Sequence, residues 1–366
     1  NRFCFFRARR RKLHGCQIHA TQFLARMPLT VRRHDAPPGL AAEIERLIFK
    51  RRHVPVLAIL VVGAILAFLA FTVMDRSVRD RAQFFFDQVA VDRLSAIEQS
   101  IELNMEMVRS VVGFFNGSSE VNRNEFGIFT SPILFRQLGF RSFSWVPRVQ
   151  AADRAAVVQR AHEDGFPDFR IFERSENGET RQAAIRERSF PILFVEPILG
   201  NEDVLGLDLA SEFHSLLDLQ IAARSGEIWV AAASRLTGED DNQFAADIIA
   251  PVYLRGKPLD GEDLRLEYLQ GFVIGKMRIS DTVEIAVQER VSVSAPIGAG
   301  IDYYVYDLSD DVDGVLLHVE ESIQRPDAAP VLTLSEARQG MHLARNLFVG
   351  GRQWVAVARP VAPNFL

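Results

Sequence analysis

The residues whose types could do chemistry are dispersed along this sequence. His162, His214, His318 and His342 stand far apart, each without a second ligand-type residue at metal-binding spacing. There is no HExxH, GxSxG, GxxxxGK[ST] or GxGxxG pattern, so the signatures of zinc peptidases, serine hydrolases, P-loop enzymes and dinucleotide binders are missing. The acidic runs Glu239-Asp240-Asp241 and Asp310-Asp311 lie among turn-forming residues and read as solvated loops. The two cysteines, Cys4 and Cys16, precede everything else, leaving the body without thiol or disulfide. The expectation is a chain without catalytic activity, metal or cofactor, whose chemistry is recognition.

Stepping outward to what must position such recognition, 366 residues suffice for two or three domains. Apolar residues make up 48% and charged ones 24%, a globular composition that excludes a multi-span transporter. The net charge of −5 conceals an asymmetry. Residues 1–53 carry 13 basic and 3 acidic side chains, while the remainder carries 29 and 44. A basic head and an acidic body face different surroundings. Between them, Val54 to Val73 is 20 residues without a charge. At ~1.5 Å per residue that helix spans ~30 Å, the thickness of a bilayer's hydrocarbon core. A signal peptide's apolar region is shorter, and Phe71-Thr72-Val73-Met74 is a poor cleavage site.

Arg46, Lys50, Arg51 and Arg52 precede this run; Arg76, Arg79 and Arg81 follow it, diluted by Asp75 and Asp80. The bias puts the N-terminal side in the cytoplasm and the acidic body outside. Residues 1–26 lack defensible periodicity and read as a misread upstream segment or a disordered arm, with Met27 a plausible start. No folded domain accompanies the basic stretch, which argues against nucleic-acid binding.

From Asp75 to Phe115 there is no proline, and no glycine before Gly113, which predicts a long helix ended by Asn116-Gly117-Ser118-Ser119. Ala90, Leu94, Ile97, Ile101, Asn104, Val108, Val111 and Phe115 recur at steps of four and three. Such a seam suits a dimeric coiled coil with one register-setting Asn. It equally suits packing against the chain's own downstream domain. Beyond residue 120, short apolar runs alternate with short helices. Strands are predicted at 140–149, 169–174, 189–198, 205–209, 227–236 and 247–254, with helices at 150–164 and, with Ser211 as its cap, to about Arg224. A second unit of similar order follows, with strands at 269–275, 303–308, 316–320, 331–334, 344–349 and 352–360 and a helix at 280–291. Antiparallel strands with helices to one side define an α+β fold.

Six ordered landmarks carry a resemblance: Phe143-Ser-Trp-Val-Pro-Arg148-Val, Asp153-Arg154, Ser189-Phe-Pro-Ile-Leu-Phe-Val-Glu-Pro197, Gly206-Leu-Asp208-Leu-Ala-Ser211, Ala222-Ala-Arg-Ser-Gly226 and Ala250-Pro-Val-Tyr253. Together they resemble the CHASE domain, closely over about residues 85–255 and more loosely to about 360. The resemblance implies an extracytoplasmic sensor of a receptor histidine kinase or nucleotide cyclase, with a stalk helix and two tandem PAS-like domains, the membrane-distal one binding ligand. It also implies an adenine-type ligand held by an acidic residue, at the position of Glu187 here. That carboxylate could accept purine N–H groups, or pair at the surface with Arg186 and Arg188. Phe143, Trp145, Phe190 and Phe194 could wall a pocket or be plain core. Strict alternation would put Phe190, Ile192 and Phe194 on one face. Arg148 and Glu196 could form a structural pair, and Asp208 and Ser211 either contact ligand or shape the turn into the next helix.

The expected organisation is a cytoplasmic segment 1–53, a transmembrane helix 54–73, a stalk 75–118, a distal ligand-binding domain 119–258 and a proximal domain 259–366. A second span and a histidine kinase or diguanylate cyclase output would follow. The expected partners are a small molecule, adenine-type or otherwise, the lipid of the inner (plasma) membrane, and a second copy through the stalk. A membrane-tethered periplasmic enzyme or a docking domain is the alternative.

Overall fold

The computed structural model describes residues 40–136, 139–175, 177–236, 243–289, 300–311, 313–323, 325 and 327–361, with side chains from residue 55 onward. The basic N-terminal stretch and the acidic run at 239–241 lie outside the described residues. Helix α1 runs unbroken from Leu40 to Gly117. The chain divides into two compact units at Thr72 and Val73. In the first, an 18-residue window of α1 has a mean hydropathy of 2.9 and none of it is buried. That segment is long and apolar enough to cross a membrane. Its Leu, Ile, Val and Phe side chains stand exposed in a row.

In the second unit α1 changes character. Phe86, Ala90, Leu94, Ile97, Ile101, Val108 and Val111 are all at or below 3% exposure. The seam therefore packs inside the chain, and a coiled coil along it is ruled out: its knobs are already in holes of the protein's own making. Asn104, the polar interruption, is buried and donates to Thr282 Oγ1 at 3.1 Å.

Two antiparallel sheets cover that seam. The first has six strands: Phe194–Glu196, Phe140–Pro147, Leu269–Arg278, Phe244–Tyr253 and Trp229–Val230 in order, with Ser234–Arg235 also paired to Phe244–Tyr253. The second has four, in the order Val315–Glu320, Ile301–Asp307, Arg352–Pro360, Leu343–Val349. Trp145 stacks on Phe115 of α1 at 4.2 Å, and a Cβ on Gly275 would lie 2.7 Å from Val108, so only glycine lets that strand reach the helix. Nearer the start of the unit, Arg345 of the second sheet reaches Glu98 Oε2 at 2.7 Å and Ser95 Oγ at 3.1 Å.

The remaining helices dress these layers. Helix α2 (Arg123–Phe135) opens with a capping box between Asn122 and Glu125. Helix α3 (Arg154–Glu163) follows a 3-10 turn, and α4 (Phe213–Ser225) covers the first sheet's far face and ends on Gly226 at φ +76°. Then come α5 (Glu262–Tyr268), α6 (Ile279–Glu289) and α7 (Leu334–Ala337).

Four expectations are corrected. The strand Leu269–Arg278 belongs to the first sheet, where it pairs with both Phe140–Pro147 and Phe244–Tyr253. A boundary at 258 would strip that sheet of its central strand. Residues 331–334 are not a strand: Thr333 and Glu336 form a capping box that starts α7. Residues 205–209 hold a turn, two isolated bridges at Leu207 and Asp208 and the first residue of a 3-10 helix, not a regular strand. Ser211 does not cap α4; its hydroxyl donates to Asp208 O at 2.6 Å.

Internal burial of the seam has a measurable consequence. Leu94→Ala should cost about 2–5 kcal/mol in urea unfolding, whereas Val91→Ala, at a position 48% exposed, should stay within about 0.5 kcal/mol. Single cysteines at Leu94, Ile97, Ile101 or Val108 should give no crosslink between chains.

Candidate functional site

A cavity of about 450 Å³ lies between α4 and the first sheet, within the size range of small-ligand sites. Its floor is apolar: Phe190 and Phe272 meet edge to face at 5.5 Å, and Leu216, Leu219 and Ala223 descend from α4. Leu266 and Leu269 close one side, and Ala210 and Gln220 complete the lining. The rim is charged, with Arg148, Arg186, Glu187 and Arg188.

The four rim groups are not equivalent. Arg186 is committed to the protein: it donates to Glu173 Oε2 at 2.8 Å and faces Asp208 Oδ2 at 3.5 Å. Glu173 is buried, also accepts from Arg181 at 2.8 Å, and is held below the usual carboxylate range, chiefly by the Arg186 bond. Glu187 is 82% exposed and touches Arg188 at 3.4 Å, a surface pair of little energetic weight. Arg148 donates to the carbonyls of Leu266 and Glu267, at 2.8 and 3.1 Å, near the end of α5. Each terminal nitrogen of the guanidinium thus gives one N–H to a carbonyl, as a basic side chain does at a helix C-terminus, and its other N–H groups are not used by these bonds. No carboxylate stands within ion-pair distance of it among the described residues. Burial and then the neighbouring Arg188 charge push its pKa down.

Of the seven sequence-derived candidates, Glu187 and Phe190 line the cavity. Phe143, Trp145 and Phe194 do not; they belong to the core on the sheet's opposite face, against α1 and α2. Strict alternation fails because the regular strand begins only at Phe194. Before it, Pro191 makes an isolated bridge to Asp208, and Ile192 N–H donates to Leu207 O at 3.0 Å. Phe190 and Ile192 thus face α4 while Phe194 faces α2. Asp208, fully buried, builds the turn: its Oδ1 accepts from Phe190 N–H at 2.7 Å and Ala210 N–H at 3.1 Å. The expected Arg148–Glu196 pair is absent, since Arg148 bonds α5. Glu196 instead lies near Arg123, its pKa raised by burial and lowered in part by that arginine. Sequence reasoning predicted α4 as a helix but not as a wall of the cavity, and it missed α5.

Helix α4 is anchored on its other sides. Tyr253 donates to Ala223 O at 2.7 Å, and burial raises its pKa to about 12. Trp229 Nε1 donates to Asp218 Oδ1 at 2.7 Å. Trp229 in turn lies against Gly351, where any Cβ would collide with its ring, and Val230 N–H donates to Gly350 O at 2.8 Å. Gly350 and Gly351 have φ of +50° and +87°, so this turn between two strands of the second sheet suits glycine twice over.

A small cavity with a charged rim thus lies under one helix of an α+β unit. The CHASE domain family model matches residues 119–318, more than half of the chain, and the chain belongs to that family. A search of curated proteins finds no match. Among solved structures, the ligand-binding domain of the Pseudomonas aeruginosa PAO1 amino acid chemoreceptor PctC in complex with GABA is similar at 14% identity and a TM-score of 0.38, covering 76% of this chain and 99% of that one. The ligand-binding domain of the Campylobacter jejuni chemoreceptor Tlp3 with L-norvaline gives 10% and 0.37, covering 77% and 92%. The extracellular domain of mmHK1S-Z3, assigned as a histidine kinase, gives 13% and 0.37, covering 76% and 94%.

Two outcomes follow from the turn and the buried acid. Asp208→Ala strands the buried Phe190 N–H, at about 1–3 kcal/mol, and the part-buried Ala210 N–H, at less, whereas Asp208→Asn keeps the Oδ1 acceptor and should lose clearly less in urea unfolding. Because the folded state depresses the Glu173 pKa, its stabilisation is complete above the ordinary carboxylate range and is lost as pH falls through the depressed value. Acid unfolding of Glu173→Gln should accordingly be less steep than that of the parent.

Proposed function

We propose that this chain is the extracytoplasmic small-molecule sensor of a transmembrane receptor. The observation that carries the reading is the cavity roofed by α4, a helix tied through Asp218 and Trp229 to the Gly350–Gly351 turn of the second sheet. A ligand that moves α4 has a mechanical route into the other sheet. It shifts the equilibrium only as far as its affinities for the two arrangements differ. In this reading the two sheets are tandem PAS-like units, the first distal and ligand-binding, the second membrane-proximal.

Helix α1 spans the inner (plasma) membrane at 54–73, residues after 74 face the periplasm or extracellular space, and residues 1–53 stay in the cytoplasm. The signal passes along α1 to a histidine kinase or diguanylate cyclase output, and this part of the receptor performs no catalysis itself. Two copies associate along the stripe of α1 that the sheets leave open, where Phe84 is 71% exposed.

Topology and sensing are separable tests. In intact cells, a membrane-impermeant maleimide should label Arg255→Cys in a background without Cys4 and Cys16; protection of that site would overturn the placement. A panel of small acids, amines and adenine compounds should contain at least one that raises the melting temperature of the detergent-solubilised chain, by an amount equivalent to about 2.7 kcal/mol at a hundred times its Kd. Trp229→Phe should leave that rise intact while weakening receptor output.

A further inference from the structure

We infer that the cavity's ligand is a small organic carboxylate with an apolar body, received by Arg148 with Arg188 beside it. This rests on the sensor reading and goes further by fixing the ligand's charge. The rim carries three guanidinium groups and one carboxylate. Arg186 is neutralised by buried Glu173 and Asp208, and Glu187 is spread into solvent against Arg188. That leaves Arg148 bonded only to neutral carbonyls, at the edge of a pocket floored by Phe190, Leu219 and Phe272.

Two neighbouring cations repel each other, and the repulsion is relieved by an anion between them. A cavity about 450 Å³ in volume with an apolar floor favours an anion carrying a hydrocarbon tail or ring over inorganic phosphate. The guanidinium's planar fork matches a carboxylate in geometry as well as charge. A purine amine, needing an acceptor, would find one carboxylate on the described rim, Glu187, which is 82% exposed. The sequence resemblance pointed to that residue; the assembled rim points to its neighbours.

Phenylacetate, phenylacetamide and phenethylamine share one ring and differ in charge, which makes them suitable probes of the full chain in detergent. Phenylacetate should raise the melting temperature, the amide and amine should not, and the effect should shrink as salt rises. Arg148→Gln and Arg188→Gln should each weaken phenylacetate binding by about tenfold or more, equivalent to about 1.4 kcal/mol. Arg188 pairs only with an exposed side chain, so its substitution tests charge without touching the Arg148 bonds to α5.

Equal binding of acid and amide would overturn the assignment. So would unchanged phenylacetate affinity in both variants, or binding of adenine compounds with no response to the acid. That last result would leave the sensor reading standing. Silence across acids, amines and adenine compounds together would overturn the sensor reading as well.

Discussion

Everything in the second unit depends on one apolar stripe along α1. Both sheets lay a face on it, so a single core takes in Phe86 near one end of the stripe and Phe115, stacked on Trp145 of the first sheet, at the other. A sheet must bury its apolar face against another element, and the shared helix covers one face of each sheet. The stripe also fixes geometry. Arg345 locks the second sheet to Ser95 and Glu98, while Asn104 fixes α6 through Thr282. Any axial shift of the helix must be answered by both sheets, because close-packed interiors do not deform continuously.

The candidate site sits on the side of the first sheet away from that stripe. This division of labour explains the dispersal of chemistry in the sequence. One face is committed to α1 and α2 with Phe143, Trp145 and Phe194, and the other is roofed by α4 over Phe190 and Phe272. The buried carboxylates of Glu173 and Asp208 share the partly exposed Arg186. With those groups occupied by one another, the charge left to meet a ligand is the pair Arg148 and Arg188.

How much of this could be read from the chain is a matter of periodicity. The stripe was legible because a helix repeats its face every three or four residues over thirty positions. The ordered landmarks pointed to the CHASE family, and the match at 119–318 agrees. Strand parity was not legible at Pro191, where an isolated bridge replaces regular pairing and flips Phe194 to the other face. Helix α2 was hidden by Gly127 and Pro132 inside it, although Asn122-x-x-Glu125 was a readable capping box, as was Thr333-x-x-Glu336 for α7. The cavity was invisible because it gathers residues near 148, 187, 219 and 269, and no local pattern links segments so far apart.

The strand Leu269–Arg278 sits in the middle of the first sheet yet comes last of its strands in the chain. During synthesis on the ribosome, the strand 140–147 emerges with one flank bare, and the strand 244–253 emerges without its main neighbour. Closure of the sheet waits for residue 278 to clear the exit tunnel. Until then the first sheet is an open edge, and cellular chaperones have a defined window in which to guard it.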